Sequence, residues 1–482
     1  MGTIDPARPH VEPSSPAAPS HPAVTAVIEI TDTVALPYTT GLQRVARELV
    51  SRLAADPDRS AVGAATDADA DAAIRYRPTV WSVGADWYRD LTPDESDRLT
   101  HPGSTMPAST ALAERFPRPA ATAIRRVLAV PAMRDLRSRA RLAARRHAER
   151  PHLGLVLPPP DRSTVLLDLE AAWNDPVPRD LLLGPWTRAG GASAALIADV
   201  LPLMRPEWFD SVLVRDFTRF ILGHLHHSDL FLCISERTRL DLLDVAAAHG
   251  IDRDLDTRVI PLGSDIVERS GAAENPAPAP TRATPELPWA GAVPVERYLL
   301  MVGTVEPRKN QALALDVFDA VADAHPDLGL VLVGKRGWKV EDLIERIERH
   351  PQAGRRILWL QEVDDDRLGE LYRGAFLSLT PARYEGLGMT VTEAMQFGTP
   401  VIASTAGALP EAGGDAAEYA GPDDVAAWVE LIERHLTDVD HHRAAVARAR
   451  AHRPPTWDDS ADAVHVAMDD VFGARTQAAL HG

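Results

Sequence analysis

Two glutamates, Glu385 and Glu393, bracket a glycine-bearing turn in the run PARYEGLGMTVTEAM, which occupies residues 381–395. The apolar residues 376–379 ahead of the turn predict a buried strand, and residues 391–397 behind it predict a short helix. The turn then lies at the carboxyl end of a strand, which is where open α/β sheets bind ligands. A carboxylate in that position can accept hydrogen bonds from sugar or ribose hydroxyls.

The turn also has the backbone composition of an anion site. Gly386 and Gly388 let the main chain approach an anion closely, and the amides at the start of the helix carry partial positive charge that suits phosphate. A structural role is the alternative for each carboxylate. Thr390 and Glu393 fit a capping box, in which Glu393 would only cap the helix, and Glu385 could be a solvated loop residue.

A second segment has the layout of a phosphate-binding loop. Residues 298–302 predict a strand, a loop begins at Gly303, and residues 311–325 have the apolar spacing of a helix. Arg308 and Lys309 near the end of this loop would meet two phosphates at a helix N-terminus, where charge-assisted bonds and the helix dipole act together. The alternative is a pair of surface cations.

Residues 298–403 resemble the C-terminal half of the family 4 retaining glycosyltransferases, whose signature places two glutamates in an EGFGxPxxEAM pattern. Here the run is EGLGMTVTEAM, and the runs GTPVI and LPEAGGDA downstream fit the same family. Two positions depart from the pattern, because Leu387 stands where the family has Phe and Thr390 where it has Pro. The resemblance implies an α/β protein of GT-B fold, in which two Rossmann-like doubly wound domains face a central cleft.

The first half of the chain carries the same resemblance. Residues 40–50, TGLQRVARELV, are similar to the TGIQRV segment of a mannosyltransferase-like branch, which would bring Gly41 close to the acceptor and the donor phosphates. A glycine that only starts a helix is the alternative. Residues 195–208 resemble the family's HDxxPxxxPE segment, with Asp199 in place and Ala198 where a histidine often stands. If that histidine contacts the sugar, this chain must use Asp199 or another group, or prefer a different sugar.

The resemblance also implies a reaction that retains the anomeric configuration. A nucleotide-sugar donor would lie mainly in the C-terminal domain and a glycan, lipid-linked or small-molecule acceptor in the N-terminal domain, with no metal or other cofactor. Lys309 and Arg308 would stabilise charge on the departing diphosphate, Glu393 would bind the ribose, and Glu385 the sugar hydroxyls. The catalytic residues implied are Glu385, Lys309 and Asp199. The donor-binding residues implied are Gly41, Gly303, Arg308, Lys309, Gly386, Leu387, Gly388, Met389 and Glu393.

Two other functions remain open at this point. Ala198, Leu387 and Thr390 would suit a noncatalytic partner subunit of the same fold, which binds the donor without turnover. A sugar-nucleotide epimerase of the same fold would convert the donor without any acceptor. The mannosyltransferase-like segments make a GDP-linked sugar such as GDP-mannose the first guess for the donor.

The length of 482 residues suits two large α/β domains. Residues 1–22 are rich in Pro, Ser, Ala and His and predict a disordered tail, and the Pro-Ala stretch within residues 269–296 predicts a linker. The N-terminal domain is then expected at residues 23–268 and the nucleotide-sugar domain at residues 297–454. The resemblance adds a helix within residues 455–475 that crosses back onto the first domain.

Charge is distributed unevenly along the chain. The formal net charge is −18, yet the segment of about residues 115–150 is rich in arginine with apolar residues interleaved. This segment could lie on anionic lipid or pack on its own domain as a solvated helical insertion. The acidic total, together with the lack of a recognisable nucleic-acid motif, argues against a nucleic-acid partner.

The sequence has no run long and apolar enough to span a bilayer, and its N-terminus does not fit a signal peptide. Cys233, the single cysteine, lies in an apolar run and predicts a small core residue. We therefore expect a cytoplasmic protein, with a peripheral position on the inner face of the membrane as the alternative.

Overall fold

The computed structural model describes residues 24–35, 41–55, 74–100, 155–175, 177–264, 287–289 and 295–473. The predicted tail, the arginine-rich segment and most of the predicted linker lie outside the described residues. Within the described ranges the chain forms two α/β domains, each built on one mainly parallel sheet.

The first domain is built on a sheet to which its described residues contribute seven strands. These are β1 (Thr25–Glu29), β2 (Arg75–Ser82), β3 (Trp87–Asp90), β4 (Thr164–Asp168), β5 (Ala192–Ile197), β6 (Leu230–Cys233) and β7 (Thr257–Val259). Their order is β3-β2-β1-β4-β5-β6-β7, and β3 alone among them runs antiparallel to its neighbour. The order reverses between β1 and β4, which opens a crevice at their carboxyl ends.

Helices cover both faces of this sheet, because a parallel sheet must bury both sides. The described helices are α1 (Thr31–Ala35), α2 (Gly41–Ala55), α3 (Pro93–Thr100), α4 (Arg179–Arg188), α5 (Leu201–Met204), α6 (Ser211–His227) and α7 (Glu236–Ala248). Helix α2 buries Val45, Ala46, Leu49 and Val50, which recur at the three- and four-residue spacing of one helix face. This packing fixes α2, and with it the start of the helix, at the carboxyl edge of the sheet.

The second domain repeats the design with six strands in residues 295–473. They are β8 (Arg297–Val302), β9 (Leu328–Val333), β10 (Ile357–Leu360), β11 (Leu377–Thr380), β12 (Val401–Ser404) and β13 (Glu418–Ala420), in the all-parallel order β10-β9-β8-β11-β12-β13. Its helices are α8 (Gln311–Ala322), α9 (Glu341–Glu348), α10 (Asp365–Gly374), α11 (Met389–Gln396), α12 (Leu409–Gly413), α13 (Val425–Thr437) and α14 (Val439–Ala451). The strand order reverses between β8 and β11, so a crevice is expected there too.

The last described helix, α15 (Trp457–Phe472), packs on the first domain although it follows the second in the chain. It starts with a capping box, in which Thr456 and Asp459 each bond the other's backbone N–H. Its buried side chains join the core of the first sheet, and Arg52 of α2 donates to Asp458 at 2.8 Å.

Two doubly wound domains of this kind are the GT-B architecture, which confirms the predicted fold class. Among the helices described, none combines the length and the apolar composition that a membrane crossing requires. The free thiol of Cys233 is buried in β6, as its apolar surroundings predicted.

The first domain buries a set of charges at the carboxyl end of β4. Asp168 accepts from Arg179 at 2.6 and 2.9 Å, and its Oδ2 lies 2.9 Å from His224 Nε2. All three side chains are fully buried. Burial raises the pKa of Asp168, but the Arg179 charge and the His224 hydrogen bond outweigh it, so the pKa lies well below its ordinary value. The carboxylate therefore stays ionised and paired inside the domain.

In contrast to Asp168, Glu29 at the end of β1 is a buried carboxylate whose pKa is raised. It is fully buried, its Oε1 accepts from Thr31 N at 2.8 Å, and its Oε2 has no hydrogen-bond partner among the described residues. Burial, with the neighbouring Asp175 and Glu170 charges, holds the pKa of Glu29 well above its ordinary value. Folding therefore favours the protonated form of Glu29.

We expect Glu29→Gln to flatten the pH dependence of stability. The pKa of Glu29 is higher in the folded protein than in the unfolded chain. The folded wild type is therefore most stable below the unfolded pKa, and it loses stability as pH rises above that value, by about 1.4 kcal/mol for each unit between the two pKa values. The variant should melt at a higher temperature than the wild type at pH 8 and at a similar temperature at pH 4. Thermal unfolding across this range checks it, with the exposed Glu430→Gln as control. Parallel curves for Glu29→Gln and wild type would contradict the expectation.

Candidate functional site

The loops that follow β8 and β11 leave the second sheet side by side, where the strand order reverses. They comprise residues 303–310 and 381–388. The backbone N–H of Arg383 donates to the carbonyl oxygen of Arg308 at 2.8 Å, so the two loops are joined directly. The structure thus brings the cationic loop and the glutamate-bearing turn into one place.

Glu385 lies between the two cations of the opposite loop. Its carboxylate accepts from Lys309 Nζ at 2.5 Å and from Arg308 Nη1 at 2.6 Å, and Arg308 Nη2 also donates to Glu306 at 2.7 Å. Burial raises the pKa of Glu385, but the Arg308 and Lys309 charges outweigh it, so the net pKa is below its ordinary value. Glu385 is therefore a buried, ionised carboxylate and not a solvated loop residue.

The surrounding backbone directs the side chain of Lys309 toward Glu385. Asn310 has a left-handed φ of 65° just before α8, and its Nδ2 donates to the carbonyl oxygens of Pro381 at 3.0 Å and Pro422 at 2.7 Å. The stem of Lys309 passes over Gly303, since a Cβ there would lie 3.3 Å from Lys309 Cε. A larger residue at position 303 would press on the lysine.

The turn after Glu385 is seated against the first domain. A Cβ at Gly386 would overlap the carbonyl oxygen of Ala198, and Ser235 Oγ donates to the Gly386 carbonyl at 2.5 Å. The side chains of Leu387 and Met389 pack against the core of the first domain. These two side chains therefore contact the opposite domain, which leaves their backbone amides as the groups that could serve a donor.

Helix α11 begins one residue after Gly388, whose φ of 100° lies in the left-handed region that favours glycine. Thr390 is therefore inside the first turn and is not the N-cap, so the capping-box interpretation of Thr390 and Glu393 is wrong. The N-terminal amides of an α-helix lack intrahelical acceptors, and those of α11 follow directly on the turn that carries Glu385.

Glu393 is buried between the two domains. Its Oε2 accepts from the Tyr372 hydroxyl at 3.1 Å, and its Oε1 lies 3.2 Å from Arg44 Nη1 of helix α2. Burial raises the pKa of Glu393, and the Arg44 charge opposes this shift without cancelling it. Glu393 therefore links the second domain to a cation of the first.

Asp199, which follows β5 in the first domain, reaches the same region. Its Oδ1 accepts from Leu201 N at 3.0 Å, and a Cβ at Gly386 would lie 3.2 Å from Asp199 Cβ. Burial raises the pKa of Asp199, with the Arg308 charge lowering it and the Glu385 charge raising it. Asp199 thus faces the Arg308 and Glu385 pair from across the cleft.

Gly41 is the first residue of α2, and the structure does not bring it into the cluster formed by the two loops. A Cβ at this position would meet no described atom within 4 Å, and the preceding residues 36–40 lie outside the described ranges. The predicted contact between Gly41 and the donor phosphates stays a prediction.

Sequence reasoning missed several charged or polar residues at this cleft, among them Arg44, Ser235, Glu306, Tyr372 and Glu411. Glu411 accepts from the backbone N–H groups of Glu236 and Arg237, both at 2.8 Å, and so joins the second domain to the start of α7. Arg44 lies inside the segment of residues 40–50 and Glu306 inside the loop that begins at Gly303, both already singled out, so their positions were the available signal. Tyr372 had no signal beyond its place in an amphipathic helix.

A separate ionic group lies away from these loops. Glu418 Oε1 accepts from Arg448 at 2.8 Å and lies 3.0 Å from His441 Nε2, with His435 Nε2 at 3.6 Å. Burial raises the pKa of Glu418, but His435, His441 and Arg448 outweigh it and lower the pKa to about 2. Arg448 donates to the same Glu418 oxygen that lies nearest both histidines. The charge of Glu418 is therefore balanced within the protein.

The structure thus places a cationic loop and a buried glutamate turn together at the cleft of two doubly wound domains. Residues 289–452 match the family model described as glycosyl transferases group 1.

The chain is also similar to curated relatives and to solved structures. The chain is 32% identical over 262 residues to the serotype-specific mannosyltransferase WbdA of Escherichia coli, covering 52% of this chain and 31% of WbdA. It is 32% identical over 247 residues to the O-antigen chain mannosyltransferase B of Escherichia coli, covering 51% and 61%. The solved structure of Anabaena Alr3699/HepE in complex with UDP and glucose matches with a TM-score of 0.49 and 11% identity, covering 95% of this chain and 98% of that one. The chain thus spans less than a third of WbdA.

The close approach at Gly386 predicts a large effect of a single methyl group. Gly386→Ala should push the turn and the Ala198 backbone apart, and a displacement of about 1 Å at a catalytic site can cost about a hundredfold in rate. We expect turnover to fall by at least about tenfold with little change in melting temperature. Gly421→Ala is the matched control, because its Cβ would meet only Asp424 at 3.5 Å. Equal turnover of the two variants would contradict the expectation.

Proposed function

We propose that this protein transfers a hexose from a nucleotide-sugar donor to a hydroxyl group of a glycan, lipid-linked or small-molecule acceptor, with retention of the anomeric configuration. The observation that carries the proposal is the burial of Glu385 between Lys309 and Arg308 at the crevice between β8 and β11. The names of the mannosyltransferase relatives make GDP-mannose the first donor to test.

The two cations are the groups that would bind the donor diphosphate. Lys309 and Arg308 are held in place by Glu385 and Glu306, so the two cations are preorganised and their charges are balanced by two carboxylates. A diphosphate would compete with Glu385 for these cations, and the displaced carboxylate could then accept from the sugar hydroxyls. Negative charge that grows on the leaving diphosphate would be stabilised by Lys309 and Arg308, which is the kind of electrostatic contribution that usually dominates. On this proposal no divalent metal is needed.

The opposite wall of the cleft would serve the acceptor. Asp199 faces the pair of Arg308 and Glu385 from the first domain, in the segment where Ala198 replaces the expected histidine. The acceptor hydroxyl would attack from the face of the leaving group and transfer its proton to a phosphate oxygen. Asp199 would orient that hydroxyl or the sugar, and Glu393 would bind the ribose.

One experiment separates the three candidate functions. GDP-, UDP-, dTDP- and ADP-linked sugars are incubated with the protein, with and without mannose-terminated oligosaccharides, and followed by ¹H NMR. A transferase releases nucleoside diphosphate faster when acceptor is present, and the product's anomeric signal reports retention. Conversion of the donor sugar without acceptor would indicate an epimerase, and donor binding with no turnover on any acceptor would indicate a noncatalytic subunit.

Membrane contact rests on a part of the chain outside the described residues. The arginine-rich segment of about residues 115–150 would bring the enzyme to anionic lipid that carries a lipid-linked acceptor. The cytoplasmic location and the peripheral position on the membrane both stay predictions, and sedimentation with anionic vesicles tests the second.

A further inference from the structure

Arg44 reaches from the first domain to the glutamate-bearing turn of the second. It lies in the first turn of α2, and its Nη1 is 3.2 Å from Glu393 Oε1. The side chains are largely buried, with 18% of Arg44 and 8% of Glu393 exposed. The pair therefore spans the cleft at the carboxylate proposed to bind the ribose.

The second domain fixes the other side of the same carboxylate. Tyr372 donates to Glu393 Oε2 at 3.1 Å, and its ring stacks on Phe397 with an interplanar angle of 11°. Thr399 Oγ1 donates to the Tyr372 carbonyl at 2.5 Å, which ties the end of α10 to the segment just before β12. Among the described residues each oxygen of Glu393 thus has one side-chain partner, and the two partners come from different domains.

The charged and titratable groups that face Glu393 come from three elements. Arg44 comes from α2, Tyr372 and Asp365 from α10, and Lys309 from the loop after β8. Burial raises the pKa of Glu393, Arg44 opposes the rise more than Tyr372 or Lys309 does, and Asp365 adds to it. Arg44 is therefore the largest electrostatic support for the ionised form, which is the form that accepts from two hydroxyls.

We propose that Arg44 is a positioning residue of the donor site, which reaches across the cleft and fixes the Glu393 carboxylate for the ribose hydroxyls of a nucleotide donor. The inference rests on the proposed function. Since Arg44 and Glu393 belong to different domains, Glu393 is held from both sides only when the cleft is closed. Recognition of the nucleoside is thereby coupled to closure of the enzyme.

The test measures dissociation constants by calorimetry from pH 5.5 to 8.5, using whichever of GDP, UDP, dTDP and ADP binds the wild type. The variants are Arg44→Gln, Arg44→Lys and Glu393→Gln. Arg52→Gln is the matched control, because Arg52 lies on the same helix but pairs with Glu48 and Asp458. All variants are first compared with the wild type by thermal unfolding.

Arg44→Gln should weaken binding about tenfold at the acidic end of the range and less at the alkaline end, because removal of the Arg44 charge raises the pKa of Glu393 further, and one pKa unit is a tenfold change in ionisation. Arg44→Lys should recover most of the affinity, Glu393→Gln should bind weakly with no acidic limb, and Arg52→Gln should follow the wild type. The inference would be overturned if the dissociation constant of Arg44→Gln had the same pH dependence and magnitude as that of the wild type. It would also be overturned if Arg44→Gln lost the same affinity at every pH and Arg44→Lys did not recover it. If the wild type binds none of the nucleotides, the proposed function fails instead.

Discussion

Lys309→Ala should lower kcat/KM for sugar transfer by about 10²- to 10³-fold, the typical effect of removing one preorganised donor to developing negative charge. Lys309 Nζ lies 2.5 Å from the Glu385 carboxylate, and its side chain is only 15% exposed. A cation that is largely buried and already oriented toward this position interacts strongly with a diphosphate bound there. Steady-state kinetics with the donor identified by NMR give the value.

The loss should not come from unfolding. Glu385 keeps Arg308 as a partner in the variant, so no buried carboxylate is left without a cation. The exposed Arg349→Ala, which removes only a surface pair with Glu345, serves as control and should keep wild-type kinetics. Lys309→Ala with kcat/KM within about threefold of the wild type would refute the role given to the lysine.

Glu385→Gln should separate binding from turnover. The Glu385 carboxylate pairs with both Lys309 and Arg308, so its neutralisation should free these cations for phosphate and tighten binding of the nucleoside diphosphate by about threefold to tenfold. Sugar transfer should nevertheless fall by about 10²-fold or more, because the contacts to the sugar hydroxyls that strengthen in the transition state are lost. Calorimetry and initial rates measure the two effects on the same preparation.

Glu348→Gln is the control for this variant, since Glu348 is exposed on α9 in the same domain. The glutamine variant should remain folded because Arg308 still has Glu306 as a partner. Nucleoside diphosphate binding that weakens in Glu385→Gln as much as in Lys309→Ala would show that Glu385 supports the diphosphate site and does not compete for it.

The elements around the site could be predicted from apolar spacing to within a few residues. The strand expected at residues 376–379 is Leu377–Thr380, and the helix expected at residues 311–325 is Gln311–Ala322. Buried parallel strands and one-sided helices give strong periodic signals, which explains this agreement. Helix α11 begins at Met389 and not at residue 391, because Gly388 takes the left-handed turn that starts it.

The cleft itself was harder to predict, because its contacts join residues far apart in the chain. Nothing local to Glu393 indicates that Arg44 lies against it, 349 residues earlier. A capping box is defined by spacing alone, so the sequence could not show that the Glu393 side chain turns toward Tyr372 instead. The resemblance supplied Lys309, Glu385 and Asp199 as candidates, and the structure adds the pairing that balances their charges.

The central claim is that the loop carrying Lys309 and the turn carrying Glu385 form a site for a nucleoside diphosphate. Its most direct test is a thermal-shift panel of GDP, UDP, dTDP and ADP on the wild type, Lys309→Ala and Glu385→Gln. A ligand at a hundredfold over its dissociation constant stabilises the folded state by about 2.7 kcal/mol, which is readily seen. We predict that one nucleotide stabilises the wild type, stabilises Glu385→Gln more, and does not stabilise Lys309→Ala. No shift with any nucleotide, or equal shifts in all three proteins, would contradict the account.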